Sequence, residues 1–133
     1  LLDDSGITLY INVDECIINI DFDLIKTVLI NLVDNARKAS QSGSFVELTG
    51  NSVYNGYMFA VKDYGVGISE EDLPRVAEEF YMVDKSRARK QGGAGMGLAL
   101  CSKIVEMHGG KLTIKSKLNE GTRVEFLIKG ENE

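Results

Sequence analysis

The sequence predicts an α+β fold, a two-layer α/β sandwich in which about three helices cover one face of a mixed, mostly antiparallel sheet. Three observations lead to this fold class. The chain has 133 residues, of which 44% are apolar, so one domain can bury a sizeable core. Apolar residues recur at helical spacing in one long segment. Shorter apolar runs bounded by turn residues are typical of strands and hairpins.

The first third of the chain predicts two short strands followed by a long helix. Residues 7–13 alternate imperfectly between apolar and polar, and residues 16–20 form the second strand. Asp21 or Asp23 can cap the helix, because a short carboxylate accepts hydrogen bonds from unpaired N–H groups at a helix N-terminus. The helix is expected to run to about Ser40. Its predicted buried face comprises Ile25, Leu29, Leu32 and Ala36.

A hairpin and a short helix are expected next. Residues 45–53 and 57–62 form two strands around an Asn-Gly pair at positions 55–56, a strong turn signal. Ser69 is placed to cap a short acidic helix that runs through Asp72.

The last third of the chain predicts a long loop, a helix and a closing hairpin. Residues 82–95 lack periodicity, and loops of that length in compact domains are usually lids or binding segments. Residues 96–108 form a helix that a glycine pair ends. Residues 111–117 and 122–129 form the hairpin, with its turn at residues 119–121.

Composition excludes several classes of function. The net charge of −5 argues against a general nucleic-acid binder. No apolar run is long enough to span a bilayer, so no direct membrane contact is expected. Cys16 and Cys101 lack metal-ligand spacing and are expected to be reduced and buried.

A glycine-rich segment at residues 92–98, Gly-Gly-Ala-Gly-Met-Gly-Leu, is the most informative motif. A glycine-rich turn that opens a helix presents free N–H groups and the positive end of the helix dipole, which suit a phosphate. The spacing differs from a Walker A loop and from a dinucleotide-binding loop. A flexible surface hinge is the alternative interpretation.

Polar residues on the long helix form a second motif. Asn31, Asn35 and Lys38 share one helix face because they are separated by four and three positions. An amide oxygen is a hard ligand suited to Mg²⁺, and an ammonium group suits a phosphate oxygen. A solvated polar face is an equally good interpretation of this helix alone.

Two further segments have a functional and a simpler interpretation. Asp63 follows a strand directly and precedes Gly65 and Gly67, so its carboxylate can accept a hydrogen bond from an exocyclic amine; an ordinary surface turn uses the same residues. The predicted loop contains four cations between Phe80-Tyr81 and the glycine-rich segment. They are Lys85, Arg87, Arg89 and Lys90. This run can close over a triphosphate, or it can be a solvated loop.

The ordered set of these motifs resembles the ATP-binding catalytic domain of sensor histidine kinases, in the superfamily shared with gyrase-type ATPases. The resemblance covers nearly the whole chain and implies a Bergerat-type fold, with residues 1–133 as one domain and a flexible ATP lid at about 82–95. The motifs that carry it are residues 31–38 (Asn-Leu-Val-Asp-Asn-Ala-Arg-Lys), 63–68 (Asp-Tyr-Gly-Val-Gly-Ile), Phe80-Tyr81, 92–98 and 120–122 (Glu-Gly-Thr).

The resemblance also implies roles for individual residues. Asp63 reads the adenine amino group, with help from Gly67 and, through water, from Thr122. Asn35 holds Mg²⁺ against the phosphates of ATP, with Asn31 beside it. The implied catalytic residues are Asn31, Lys38 and Arg87. The implied nucleotide-binding residues are Asn31, Asn35, Lys38, Asp63, Gly65, Gly67, Ile68, Tyr81, Lys85, Arg87, Gly93, Gly95, Met96, Gly97, Leu98 and Thr122.

The function implied is transfer of the γ-phosphoryl group of Mg·ATP to a histidine on a separate dimerisation domain. Gyrase-like ATPases activate water with a Glu at the position of Asn31, and an amide is no general base. His108 is assigned a structural role. Met82 stands where the family commonly has Arg, and Ala94 where Thr or Ser is common. Met82 favours the alternative function, a nucleotide-sensing module or degenerate kinase without transfer activity.

The same resemblance implies the wider setting of the chain. It is expected to be a monomeric, cytosolic piece of a homodimeric, membrane-anchored bacterial sensor. The expected partners are ATP or ADP, the histidine-bearing dimerisation domain and a downstream response regulator. The isolated chain is not expected to autophosphorylate.

Overall fold

The computed structural model describes residues 6–13, 22–54, 56–73 and 94–129. Five strands and two helices lie within these ranges, which confirms the predicted α+β class. In chain order they are β1 (Thr8–Val13), α1 (Phe22–Ala39), β2 (Phe45–Val53), β3 (Gly56–Asp63), α2 (Ala94–Met107), β4 (Leu112–Lys117) and β5 (Gly121–Lys129). The predicted strand at residues 16–20 lies outside the described residues.

The sheet is mixed and mostly antiparallel, as predicted. Its strand order is β1-β2-β3-β5-β4. Only the edge pair β1–β2 is parallel among these neighbours, and α1 makes the crossover between those two strands. Val53 pairs with Gly56, so residues 54 and 55 separate β2 from β3. The turn prediction was therefore one residue too late, because Gly56 already belongs to the ladder.

Helix α1 packs on the sheet through a stripe that differs from the prediction at one position. Val28 is fully buried, whereas Leu29 is only partly buried at the edge of the core. The helix begins at Phe22, so Asp23 lies inside the first turn, where its charge favours the helix dipole. Asp21, the other predicted cap, lies outside the described residues. Arg37 and Lys38 occupy the last turn, which is also favourable.

One hydrophobic core joins both helices to the same face of the sheet. Side chains at alternate positions of β3 and β5 point into it, because successive residues of a strand face opposite sides. Phe59 and Phe126, which are register partners, stack with ring centroids 5.2 Å apart. The fully buried large side chains are Phe126, Leu32, Ile128, Val28, Val46, Val61, Val105 and Cys101.

Helix α2 begins at Ala94, two residues before the predicted start. Ala94 and Gly95 of the predicted lid are therefore helical. Residues 82–93 of the predicted lid lie outside the described residues. Glycine destabilises a helix interior. In the first turn the cost is smaller, because the N–H groups there have no intrahelical partners. Neither described helix combines the length and apolar character needed to cross a membrane.

The predicted short acidic helix, from Ser69 through Asp72, is a hydrogen-bonded turn in the structure. Ser69 Oγ accepts a hydrogen bond from Asp72 N at 3.2 Å, and Leu73 N donates to Ser69 O at 3.0 Å. This is the capping geometry that the sequence predicted. Of the three expected helices, α1 and α2 are therefore the two that are seen as helices within the described residues.

Burial makes the Cys101 thiol unreactive. It raises the pKa of Cys101 from 9.0 to about 12, and Sγ donates to Val28 O at 3.8 Å. In a Cys16→Ser chain, Cys101 is the sole thiol. We expect iodoacetamide at mildly alkaline pH to alkylate it slowly in the native chain and rapidly in denaturant. Equal rates in the two conditions would contradict this burial.

Candidate functional site

Asp63 is a buried carboxylate at the end of β3. Its exposed fraction is only 4%, and it is the one buried polar or charged residue among the described residues. Its Oδ1 accepts hydrogen bonds from Gly65 N at 2.9 Å and from Thr122 N at 3.2 Å. Within the described part of the chain, Oδ2 accepts none. The carboxyl group is thus fixed through Oδ1.

Burial raises the pKa of Asp63 above its ordinary value of 3.8. The N–H groups of Gly65 and Thr122 and the charge of Lys62 oppose this shift, because each stabilises the ionised form. A perturbed carboxylate with one anchored oxygen is typical of a binding or catalytic site.

Thr122 lies directly beside Asp63, because the two residues are register partners in the antiparallel pair β3–β5. Its Oγ1 lies 2.7 Å from Ser116 Oγ, across the β4–β5 hairpin. Ser116 Oγ also accepts from Ile68 N at 2.8 Å and donates to Gly121 O at 2.9 Å. Sequence reasoning missed Ser116. The available signal was its position opposite Thr122 in the predicted hairpin.

The loop after Asp63 is held between the C-terminus of α1 and the β4–β5 hairpin. Val66 N donates to Ala39 O at 3.1 Å, and Asn119 N donates to Val66 O at 2.7 Å. Two elements distant in sequence therefore fix this short loop from both sides.

Two glycines permit this close approach. A Cβ on Gly65 would lie 2.0 Å from Ala39 O, and a Cβ on Gly67 would lie 2.1 Å from Lys117 O. Gly67 also adopts a φ of +71°, which L side chains rarely adopt. The sequence interpretation assigned these glycines to approach by a base. The described contacts already require glycine at both positions, because no side chain fits between the loop and the backbone of Ala39 or Lys117.

Asn31 and Asn35 lie one turn apart in α1, beside the buried face of that helix. Asn31 and Asn35 are both half-buried. Asn31 Nδ2 donates to Thr27 O, one turn earlier, at 2.8 Å. Within the described residues, the Asn35 side chain makes no hydrogen bond.

Lys38 is partly committed within its own helix. Its Nζ lies 3.1 Å from Asp34 Oδ2, while Arg37 binds Oδ1 of the same carboxylate at 2.7 Å. Burial alone would raise the pKa of Asp34, but the hydrogen bonds and charges of Arg37 and Lys38 outweigh it and lower that pKa. A partly exposed pair of this kind contributes little stability.

The remaining predicted site residues fall into two groups. Gly95, Met96 and Gly97 lie in the first turn of α2, and the Leu98 side chain packs at the edge of the core. Those outside the described residues are Tyr81, Lys85, Arg87 and Gly93. They stay predictions. His108 Nδ1 lies 2.9 Å from Ile104 O at the end of α2, in agreement with its assigned structural role.

Comparison with solved structures identifies the same fold in sensor kinases. A mycobacterial sensor histidine kinase, MprB, superposes with a TM-score of 0.82 and 27% identity, covering 95% of this chain and 85% of that one. Full-length ShkA in complex with AMPPNP gives a TM-score of 0.78 and 27% identity, covering 96% of this chain and 26% of that one.

Sequence comparison points to the same group of proteins. Sensor protein SrrB of Staphylococcus aureus is 37% identical over 128 residues, which is 96% of this chain and 22% of SrrB. The chain thus spans about a fifth of the length of that relative. The family model described as histidine kinase-, DNA gyrase B- and HSP90-like ATPase matches residues 20–132. The chain therefore belongs to this ATPase family and is homologous to the sensor histidine kinases.

Proposed function

We propose that this chain binds Mg·ATP and provides its γ-phosphoryl group to a histidine on a separate dimerisation domain of a two-component sensor kinase. One observation carries the proposal: the buried Asp63 carboxylate is anchored through Oδ1, while Oδ2 accepts no hydrogen bond from the described residues. The ATPase family and the ATP analogue named with ShkA support the choice of nucleotide.

Asp63 and Thr122 would hold the base. An ionised carboxylate accepts hydrogen bonds only, so its free oxygen suits an exocyclic amine. The loop that follows Asp63 is fixed on both sides, so the site is preorganised and little ordering entropy is lost on binding.

Asn35 fits the role of a magnesium ligand. Mg²⁺ prefers hard oxygen ligands and usually combines one or two protein groups with substrate phosphates. The Asn35 amide is half-buried and makes no side-chain hydrogen bond within the described residues. When bound, the metal neutralises phosphate charge.

Lys38 lies one turn after Asp34 and three residues after Asn35, so it would meet phosphate oxygens on the same helix face. The first turn of α2 adds unpaired N–H groups and a favourable dipole. Lys85 and Arg87 of the predicted lid would complete the cationic shell. Positioning and charge neutralisation are the main contributions of protein groups to phosphoryl transfer.

The chemistry requires an external nucleophile. A neutral imidazole nitrogen attacks the γ-phosphorus, the bond to the β,γ-bridging oxygen breaks, and ADP leaves. Asn31 cannot activate water as a carboxylate would, because its amide is not basic and its Nδ2 already donates to Thr27 O. The site therefore suits transfer to a protein histidine better than hydrolysis. We place the chain in the cytosolic part of a longer, dimeric sensor with a response regulator downstream.

The test combines binding with transfer. ATP labelled at its γ-phosphate is supplied with Mg²⁺ to this chain and to a parent dimer whose own nucleotide site is inactivated but whose acceptor histidine is intact. We expect acid-labile, base-stable label on that histidine. Nucleotide binding without transfer would select the sensing module instead. Rapid hydrolysis by the chain alone would contradict both.

Removing the Asn35 amide should separate metal from nucleotide. We expect Asn35→Ala to reduce the Mg²⁺-dependent gain in ATP affinity by about tenfold, because one inner ligand is lost, while metal-free affinity stays unchanged. Calorimetric titrations with and without Mg²⁺ measure both quantities. Asn51→Ala, at an exposed asparagine of β2, is the matched control and should change neither. An equal loss in both conditions would show that Asn35 does not act through the metal.

A further inference from the structure

We propose that Ser116 fixes the hydrogen-bond polarity of Thr122 and thereby selects a base that presents an amino group rather than a carbonyl to Asp63. The inference rests on the proposed binding of ATP at Asp63. It assigns a specificity role to a residue that does not itself touch the carboxylate. It is based on the contact between the hydroxyl groups of Ser116 and Thr122, next to Asp63.

Ser116 Oγ stands at the centre of three contacts. It donates to Gly121 O at 2.9 Å, accepts from Ile68 N at 2.8 Å, and lies 2.7 Å from Thr122 Oγ1. A serine hydroxyl has one hydrogen and two lone pairs. These three contacts therefore use its full capacity.

One arrangement of hydrogens satisfies all three contacts together. The Ser116 hydrogen goes to Gly121 O, because a carbonyl can only accept. Ile68 N takes one lone pair of Ser116 Oγ. The Thr122 hydroxyl must then donate into the other lone pair. In the reverse arrangement, Ser116 would donate to Thr122 and the contact with Gly121 O would lose its hydrogen. The first arrangement is favoured because an unsatisfied polar contact is costly when buried or half-buried.

The consequence reaches the nucleotide site. A Thr122 hydroxyl that donates to Ser116 offers only lone pairs elsewhere, and Asp63 beside it also accepts only. Two neighbouring acceptors match an exocyclic amine in direct contact with them, because the amine has two hydrogens. A carbonyl at that place would face two acceptors. Such a mismatch discriminates strongly, because it leaves polar groups unpaired.

The experiment compares ATP with inosine triphosphate, which replaces the 6-amino group with a carbonyl, carries a hydrogen on ring nitrogen N1 and leaves the phosphates unchanged. Calorimetry gives the ratio of the two affinities for each variant. In the natural chain we expect ATP to be preferred. In Ser116→Ala the Thr122 hydroxyl is free to turn and donate, so we expect the ATP preference to fall by about tenfold.

Three variants complete the design. Ser116→Thr keeps a hydroxyl and should restore the ATP preference. Thr113→Ala removes another hydroxyl of β4. Thr113 pairs with Glu125 and lies on the opposite face of the sheet from Ser116, so this variant should leave the preference unchanged. Thr122→Val removes the acceptor and leaves the Ser116 contacts with Gly121 O and Ile68 N in place, so the preference should also fall. This variant keeps the test valid if Ser116→Ala fails to fold.

The outcomes separate this inference from the proposed function. If the folded natural chain binds neither nucleotide, the proposed function fails. If it binds ATP selectively and Ser116→Ala lowers both affinities in parallel, Ser116 is merely structural and the inference is overturned. An unchanged preference in either folded variant, Ser116→Ala or Thr122→Val, overturns it as well. A lowered preference that Ser116→Thr restores supports it.

Discussion

Asp63→Asn is expected to abolish tight ATP binding while the fold is retained. The amide keeps an acceptor at Oδ1 for Gly65 N and Thr122 N. It replaces the free acceptor oxygen with an N–H donor, which would oppose the exocyclic amine. The loss of one charge-assisted hydrogen bond, together with this donor–donor conflict, is worth about 3 kcal/mol, or roughly 100-fold in Kd.

The same substitution should not destabilise the chain at neutral pH. Burial raises the pKa of Asp63 above 3.8, so the folded state binds the proton more tightly than the unfolded state does. The free energy of unfolding contributed by this group therefore falls as pH rises from about 3.8 to the higher folded pKa, and is constant above it. The amide of Asp63→Asn does not titrate, so this variant does not lose stability in that pH range. Its stability relative to the natural chain should increase as pH rises through that window.

The measurements are ATP titration by calorimetry and urea unfolding at several pH values. Glu47→Gln is the matched control, because it is the same change of a carboxylate to an amide on the neighbouring strand. Glu47 accepts from Tyr64 Oη at 2.7 Å and lies at a half-buried position outside the proposed site. We expect normal ATP affinity in this control. Full ATP affinity in Asp63→Asn would remove the central support for the proposed function.

Gly67→Ala is expected to cause the largest loss of stability. A Cβ at this position would lie 2.1 Å from Lys117 O and 2.8 Å from its carbonyl carbon. These are backbone atoms, so the loop or the β4–β5 hairpin must shift. The φ of +71° adds strain of about 1–2 kcal/mol for an L side chain. Together these effects should lower the free energy of unfolding by about 3 kcal/mol or more.

Gly43→Ala isolates the contribution of the contact. Gly43 also has a left-handed φ, +91°, but no atom lies within 4 Å of an added Cβ. It should cost only about 1 kcal/mol, because it introduces backbone strain without a collision. Urea unfolding compares the two variants. Equal decreases in the free energy of unfolding would mean that contact with the β4–β5 hairpin does not limit the residue at position 67. We also expect Gly67→Ala to weaken ATP binding, since the loop leads directly from Asp63.

Local sequence patterns were enough to predict most elements. The apolar spacing in α1 reflects a face that must be buried, and the glycine pair after α2 ends that helix. Errors appeared where local signals compete. The glycine at position 95 suggested a loop, yet α2 already includes it. The turn between β2 and β3 came one residue earlier than its Asn-Gly pair indicated.

The sequence by itself determined the element types, the order of the motifs and the resemblance to a kinase ATP-binding domain. Only the tertiary structure decided which groups meet. The strand order places β5 between β3 and β4, and this brings Thr122 and Ser116 to Asp63. The tertiary structure also explains why glycine is needed at positions 65 and 67, since a Cβ there would collide with Ala39 O or Lys117 O. Such contacts join residues far apart in the chain and follow from packing the whole sheet, whereas propensity and spacing report only on neighbours in sequence.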